Sequence, residues 1–137
     1  MRHLVYLHGF ASSPQSSKAC FLADRFGAHD LTLHCPDLNQ PDFSTLTTTR
    51  MIDRVNGELR NLKEGPVVLM GSSLGAFVAL HLAEQLMVRG VSTHPVERLI
   101  FLAPAFDFGR AGMNDLGEDG LASWQKNGWL DVPHYAY

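Results

Sequence analysis

No apolar stretch in this chain approaches the roughly 20 residues needed to span a bilayer. The N-terminus offers only Leu4-Val5-Tyr6-Leu7 after Arg2. A secretory signal needs an apolar run of about 7–15 residues, so none is expected. A cytoplasmic location, with no membrane association, is the default expectation. Cysteine is scarce: Cys20 and Cys35 are the only two in 137 residues. That is too few for a disulfide framework. Each has apolar neighbours, so both are expected to be buried and reduced. Excess charge of one sign is missing too, with 11 basic and 14 acidic residues giving a net charge of −3. With no basic patch, neither a nucleic acid nor an anionic membrane surface is an expected partner. His3, His29, His34, His81 and His94 lack ligand spacing with one another or with cysteine, so no zinc site is expected. Repeats and low-complexity tracts are absent as well.

What is present is a chain with 45% hydrophobic residues, enough to form the core of one domain and too many for disorder. Four short apolar runs alternate with helical patterns. They are Leu4–Leu7, Leu31–Cys35, Val67–Met70 and Leu99–Leu102. The first, third and fourth are continuous, as in strands buried on both faces of a parallel sheet. After the first run, Ser16 or Ser17 caps a helix whose inner face holds Ala19, Leu22, Ala23 and Phe26, and Gly27 ends it. Before the third run, Ile52, Val55, Leu59 and Leu62 form one stripe. Arg50, Arg54, Arg60 and Lys63 form the opposite, solvated face. Asp42 or Ser44 is the expected cap of that helix and Gly65-Pro66 its stop. The segment after Gly75 is apolar nearly all round, so its helix should be well buried. Repeated strand–helix alternation implies an α/β fold with a mostly parallel sheet. Residues 1–104 form this core. Residues 105–137 lose the pattern and read as an irregular, lid-like segment, with Trp124 on one short helix. Trp124 and Trp129 are expected to serve lid or packing roles.

Gly71-Ser72-Ser73-Leu74-Gly75 carries the chemistry. A hydroxyl is a poor nucleophile until a base removes its proton, and it must also project towards the substrate. A tight strand-to-helix turn projects it, at the cost of a crowded backbone that flanking glycines relieve. Ser73 is central between the two glycines, with a strand before it and a helix after it, so it is the expected nucleophile. His8-Gly9-Phe10 follows the first strand. Acyl transfer places negative charge on the carbonyl oxygen, and losing one N–H donor to it costs about 3–4 kcal/mol. The expected donors are the Leu74 and Phe10 backbone N–H groups, with Ala11 as the alternative to Phe10. His8 is expected to shape this loop rather than act as the base. If the first strand is central, the second and third flank it, and the crevice at that switch point receives the ligand. Asp37 lies at the mouth of that crevice or simply in a turn. Ser12, Ser13, Ser16 and Ser17 are explained by turn and cap chemistry.

Together, Tyr6-Leu7-His8-Gly9-Phe10-Ala11-Ser12-Ser13-Pro14, Lys18-Ala19, the loop Pro36–Asp42 and Gly71–Gly75 resemble the small bacterial α/β-hydrolases of the YqiA/YcfP-like esterase family. The resemblance covers residues 3–104. It implies a three-layer αβα sandwich and a serine hydrolase acting on small-molecule esters or thioesters, without metal or organic cofactor. It also implies an acid after a later strand and a histidine after the last one. On that pattern the chain corresponds to the N-terminal two-thirds of the family's domain, with the C-terminal strands missing. Leu99–Leu102 would then be an exposed apolar edge through which copies could associate.

A local acid and base are available in the chain order of this fold: Asp107, after the fourth strand, and His134. The rival readings are a truncated lobe that binds without catalysis, and an acyltransferase built on the same site. Loss of one triad member can lower turnover by about 10⁴-fold. The expected outcome for these residues alone is weak or no release of p-nitrophenol from short p-nitrophenyl esters. Robust turnover abolished by Ser73→Ala would instead establish a complete local triad.

Overall fold

The computed structural model describes residues 2–90, 94–107 and 117–131. The first apolar run forms β1 (His3–Leu7), buried along its whole length. Helix α1 (Ser17–Gly27) follows, with the Ser16 hydroxyl accepting from the Ala19 N–H at its start. Next come the short strand β2 (Leu33–His34), helix α2 (Thr48–Asn61) and strand β3 (Val67–Ser72). Helix α3 (Leu74–Arg89), strand β4 (Val96–Leu102) and helix α4 (Gly117–Asn127) complete the order.

The sheet runs β2-β1-β3-β4 and all its pairings are parallel. β1 is therefore central, with its two sequence successors on opposite sides. Strand alternation divides the core in two. Val5, Leu7, Val67 and Leu69 face Met51, Ile52, Val55 and Leu59 of α2 and Leu74, Val78 and Leu82 of α3. Leu4, Tyr6, Val68 and Met70 face the other way, onto Ala19 of α1, with Leu22 and Phe26 alongside. This is the three-layer αβα sandwich, with α2 and α3 on one face and α1 on the other. Full burial of a residue such as Leu82 contributes about 1.5–3 kcal/mol, so two apolar faces are needed to hold so short a sheet.

Several local expectations are corrected. β2 spans two residues rather than Leu31–Cys35, because Leu31 and Thr32 are exposed beyond the pairing with β1. Thr47, not Asp42 or Ser44, caps α2, accepting from the Arg50 N–H. Asp42 instead caps a 3₁₀ turn at Phe43–Thr45. Arg50 does not lie on a solvated face: its guanidinium binds the carbonyl and hydroxyl of Thr45, both at 2.7 Å, and so pins that turn. Both cysteines are free, but Cys20 is exposed and Cys35 half-buried. The buried part of α3 ends near Ala83, and Met87 and Val88 project outward. The short helix expected around Trp124 is α4, with Trp124 half-buried and Trp129 exposed. β4 begins earlier than Leu99 and has no further strand beside it among the described residues, where Ile100 is exposed. No helix among those residues is long and apolar enough to cross a membrane.

The glycines of the chain divide by their surroundings. A Cβ on Gly75 would fall 2.0 Å from the Leu7 carbonyl oxygen and 2.6 Å from that of His8, with only backbone to give way. Gly57, inside α2, has nothing within 4 Å of such an atom. Gly75→Ala should therefore cost at least about 3 kcal/mol or prevent folding, by overpacking against rigid backbone. Gly57→Ala should stabilise by up to about 1 kcal/mol through helix propensity. Urea unfolding of both variants checks the pair, and equal effects would contradict it.

Candidate active site

Ser73 occupies the junction of β3 and α3 at φ 53°, ψ −118°. A left-handed φ costs a residue with a Cβ roughly 1–3 kcal/mol and persists only when its surroundings fix it. Here the Ser73 N–H donates to Leu102 O at 3.0 Å. Its carbonyl accepts from the Ala76 N–H at 3.0 Å and the Ala105 N–H at 3.3 Å. Gly71 makes the same turn compact, since a Cβ there would lie 2.4 Å from Gly75 O. The Leu74 N–H opens α3 and has no acceptor among the described residues.

The loop after β1 lies directly against this turn. A Cβ on Gly9 would be 3.3 Å from Ser72 O and 4.0 Å from the Ser73 Oγ. Phe10 follows, 43% exposed, with its ring 5.2 Å from that of Phe43. Ala11 adopts φ 52° as the loop turns back. Ser73, with Leu74 next in the chain, and Phe10 thus lie on the two sides of one turn-and-loop junction. A cleft of about 320 Å³ opens there, lined by Tyr6, Gly9, Phe10, Lys18, Ser72 and Ser73 together with Ser12, Ser16 and Ser17.

His8 is 1% exposed and its ring is fully used. Nε2 accepts from the Leu38 N–H at 3.0 Å, so Nδ1 carries the proton and donates to Gly9 O at 2.9 Å. The Asp37 Oδ1 is 3.6 Å from Nε2, too far for a hydrogen bond. His8 is therefore a neutral brace between the loop after β1 and the loop after β2. Asn39 adds a second brace, its side chain donating to Ser12 O at 2.7 Å. Asp37 turns inward on its own loop, accepting from the Asn39 N–H and the Gln40 side chain, both at 3.0 Å. Burial alone would raise its pKa, but these hydrogen bonds, together with the nearby His8, outweigh it and hold the carboxyl below its ordinary value.

The sequence motifs gave no role to Ser72 and Lys18. The Lys18 Nζ donates to the Ser72 Oγ at 2.8 Å. Burial pushes the Tyr6 phenol up, with the Ser72 hydroxyl beside it acting in the opposite direction. One sequence signal was present: Lys18 is the second residue of α1, where the helix dipole disfavours a cation. Burial also pushes the Cys35 thiol up to about 11, Asp37 and Cys20 adding to it, so it stays protonated at neutral pH. Asp107 is exposed in the turn after β4, and no described residue hydrogen-bonds it to the site. His134 lies outside the described residues. Among those residues no histidine hydrogen-bonds to the Ser73 hydroxyl.

A lowered carboxyl pKa fixes a direction of pH dependence. The stability Asp37 contributes is fully present above its unfolded value of about 3.9 and is lost as pH falls through its folded value. Urea unfolding from pH 6 to pH 3 should therefore show wild type losing its advantage over Asp37→Asn at the acid end. A difference that stays constant over the range would contradict this.

Comparison with known proteins agrees with this architecture. The chain resembles a proposed hydrolase from Agrobacterium vitis S4 at 25% identity and a TM-score of 0.85, covering 98% of this chain and 54% of that one. It resembles mouse alpha/beta hydrolase domain-containing protein 10 at 23% identity and a TM-score of 0.72, covering 96% of this chain and 52% of that one. It thus spans about half the length of each. Residues 3–137 match the model of UPF0227, described as an uncharacterised protein family. The chain belongs to the UPF0227 family and has the α/β-hydrolase fold foreshadowed by its HGFASSP and GSSLG segments.

Proposed function

We propose that this chain forms the nucleophile half of a serine hydrolase for carboxylic esters or thioesters. The observation that carries the reading is Ser73 held at φ 53° on the wall of a cleft of about 320 Å³, with the Gly9 loop alongside. Ser73 attacks the carbonyl carbon while a histidine takes the hydroxyl proton. The oxyanion is held by the Leu74 and Phe10 N–H groups, and the α3 N-terminus favours the negative charge. The base returns its proton to the leaving alcohol or thiol, and water then cleaves the acyl-enzyme. Asp107 and His134 are the acid and base candidates within the chain. The alternative source is the portion of longer hydrolases that this chain does not span.

A second reading is an inactive lobe that binds the ester without turning it over. It is favoured by one fact: no described histidine meets the Ser73 hydroxyl. A fluorophosphonate probe, with mass-spectrometric mapping, separates the two. The hydrolase reading expects label on Ser73 of wild type and none on Ser73→Ala. It also expects any p-nitrophenyl butyrate turnover to fall at least about 10³-fold in that variant. His134→Ala should lose as much if the local pair operates. Wild type without label supports the inactive lobe, and label on another residue removes Ser73 as the nucleophile.

A further inference from the structure

Lys18 has no part in the acyl chemistry above, yet it lines the same cleft as Ser73. We propose that Lys18 is a specificity residue that selects acyl substrates bearing an anionic group, such as a terminal carboxylate, a few atoms from the scissile carbonyl. The proposal rests on the reading of Ser73 as nucleophile for its substrate class, but the subsite itself can be tested without turnover.

Three independent observations support it. The first is charge. The nine lining residues are Tyr6, Phe10, Gly9, Lys18 and five serines, so Lys18 brings the cleft its only formal charge among the described residues. Its ammonium has no carboxylate partner among those residues. The second is geometry. The Lys18 Nζ is fixed 2.8 Å from the hydroxyl of Ser72, the residue immediately before Ser73. One of its three hydrogens is engaged there, and two remain to bind an anion in the cleft. The third is placement. A lysine in the first turn of α1 opposes the helix dipole, so helix stability does not account for it.

The physical consequence follows directly. A carboxylate next to Ser72 gains a charge-assisted hydrogen bond from Lys18. A neutral alkyl end placed there gains none and leaves the ammonium partly desolvated. The cationic wall also raises the encounter rate of anionic esters at low salt. A hydrophobic acyl pocket would place aliphatic side chains at this wall, whereas Ser12, Ser16, Ser17 and Lys18 occupy it.

The test uses the Ser73→Ala protein, so that binding is measured without reaction. Monomethyl glutarate and methyl valerate share their chain length and differ in the terminal carboxylate. NMR titration should show monomethyl glutarate binding roughly tenfold more tightly, consistent with one charge-assisted contact. Lys18→Met should remove that preference, Lys18→Arg should retain most of it, and Lys18→Glu should reverse it. Raising the salt from about 0.05 M to about 0.5 M should shrink the preference in the Lys18 and Lys18→Arg proteins and leave Lys18→Met unchanged. Lys18 is exposed, so these variants should not disturb folding. A preference that survives Lys18→Met, or no preference in the Lys18 protein, overturns the proposal. Absence of fluorophosphonate label on Ser73 would overturn the nucleophile reading instead, leaving the binding comparison to decide the subsite.

Discussion

The start of α3 meets the end of β1 with no room for a methyl group between them. An atom attached to Gly75 would sit 2.0 Å from the Leu7 carbonyl oxygen, well inside any allowed contact. Much of the site's geometry depends on this closeness. The helix can begin against the central strand only because no side chain intervenes. That start fixes where β3 must turn, and the turn places Ser73 in the left-handed region. Gly71 allows the same turn to close against Gly75 and Ala76 from the other side. The strain at Ser73 is then held by hydrogen bonds to Leu102, Ala76 and Ala105. Two of these partners lie at or beyond the end of β4, so the fourth strand supports the turn at Ser73 although it contributes no cleft-lining residue.

The loop after β1 needs separate support, because it carries no regular structure of its own. His8 supplies it. A buried neutral imidazole that lost either partner would leave a backbone group unsatisfied, at a cost of about 1–3 kcal/mol. Both ring nitrogens are engaged, one with Gly9 and one with Leu38, so the loops after β1 and β2 hold each other. Leu38 is in turn buried with Val55 and Val78. The position of the proposed oxyanion loop is thereby coupled to the packing of α2 and α3. Both ring nitrogens of His8 are engaged within these loops, which is the loop-shaping part expected of it.

Much of this was legible in the chain because it depends on local rules. Continuous apolar runs at Leu4–Leu7 and Val67–Met70 mark strands covered on both faces, and both are so covered. Ser16 caps α1 as its position before an amphipathic stripe suggests. The Gly-x-Ser-x-Gly spacing foretold a crowded turn, and the clearances at Gly71 and Gly75 give its physical reason. What was not legible depends on tertiary reach. Arg50 follows its helix periodicity yet bends back to a turn five residues earlier. Asp42 caps, but the helix it caps is a separate short one. Lys18 and Ser72 are 54 positions apart, and nothing in either local pattern announces their contact. Cys20 has apolar neighbours in sequence, yet those on a helix point to different faces, so it is exposed.

The electrostatics of the cleft can be read from the same contacts. Two helix N-termini, those of α1 and α3, open onto it, and each presents backbone N–H groups and a partial positive charge. Lys18 adds a full charge at the first of them. Asp37, in the loop after β2, is not among the residues that line the cleft. Both of its oxygens are occupied within its own loop by Asn39 and Gln40. Positively polarised groups therefore stand at two separate points, the N–H groups at the start of α3 and the Lys18 ammonium beside Ser72. The first suits a charge that exists only while a tetrahedral intermediate forms. The second suits a charge the substrate carries throughout. On the proposed reading, one cleft uses the same physics for rate at Leu74 and for selection at Lys18, because the two points lie on different helices and are set by different residues.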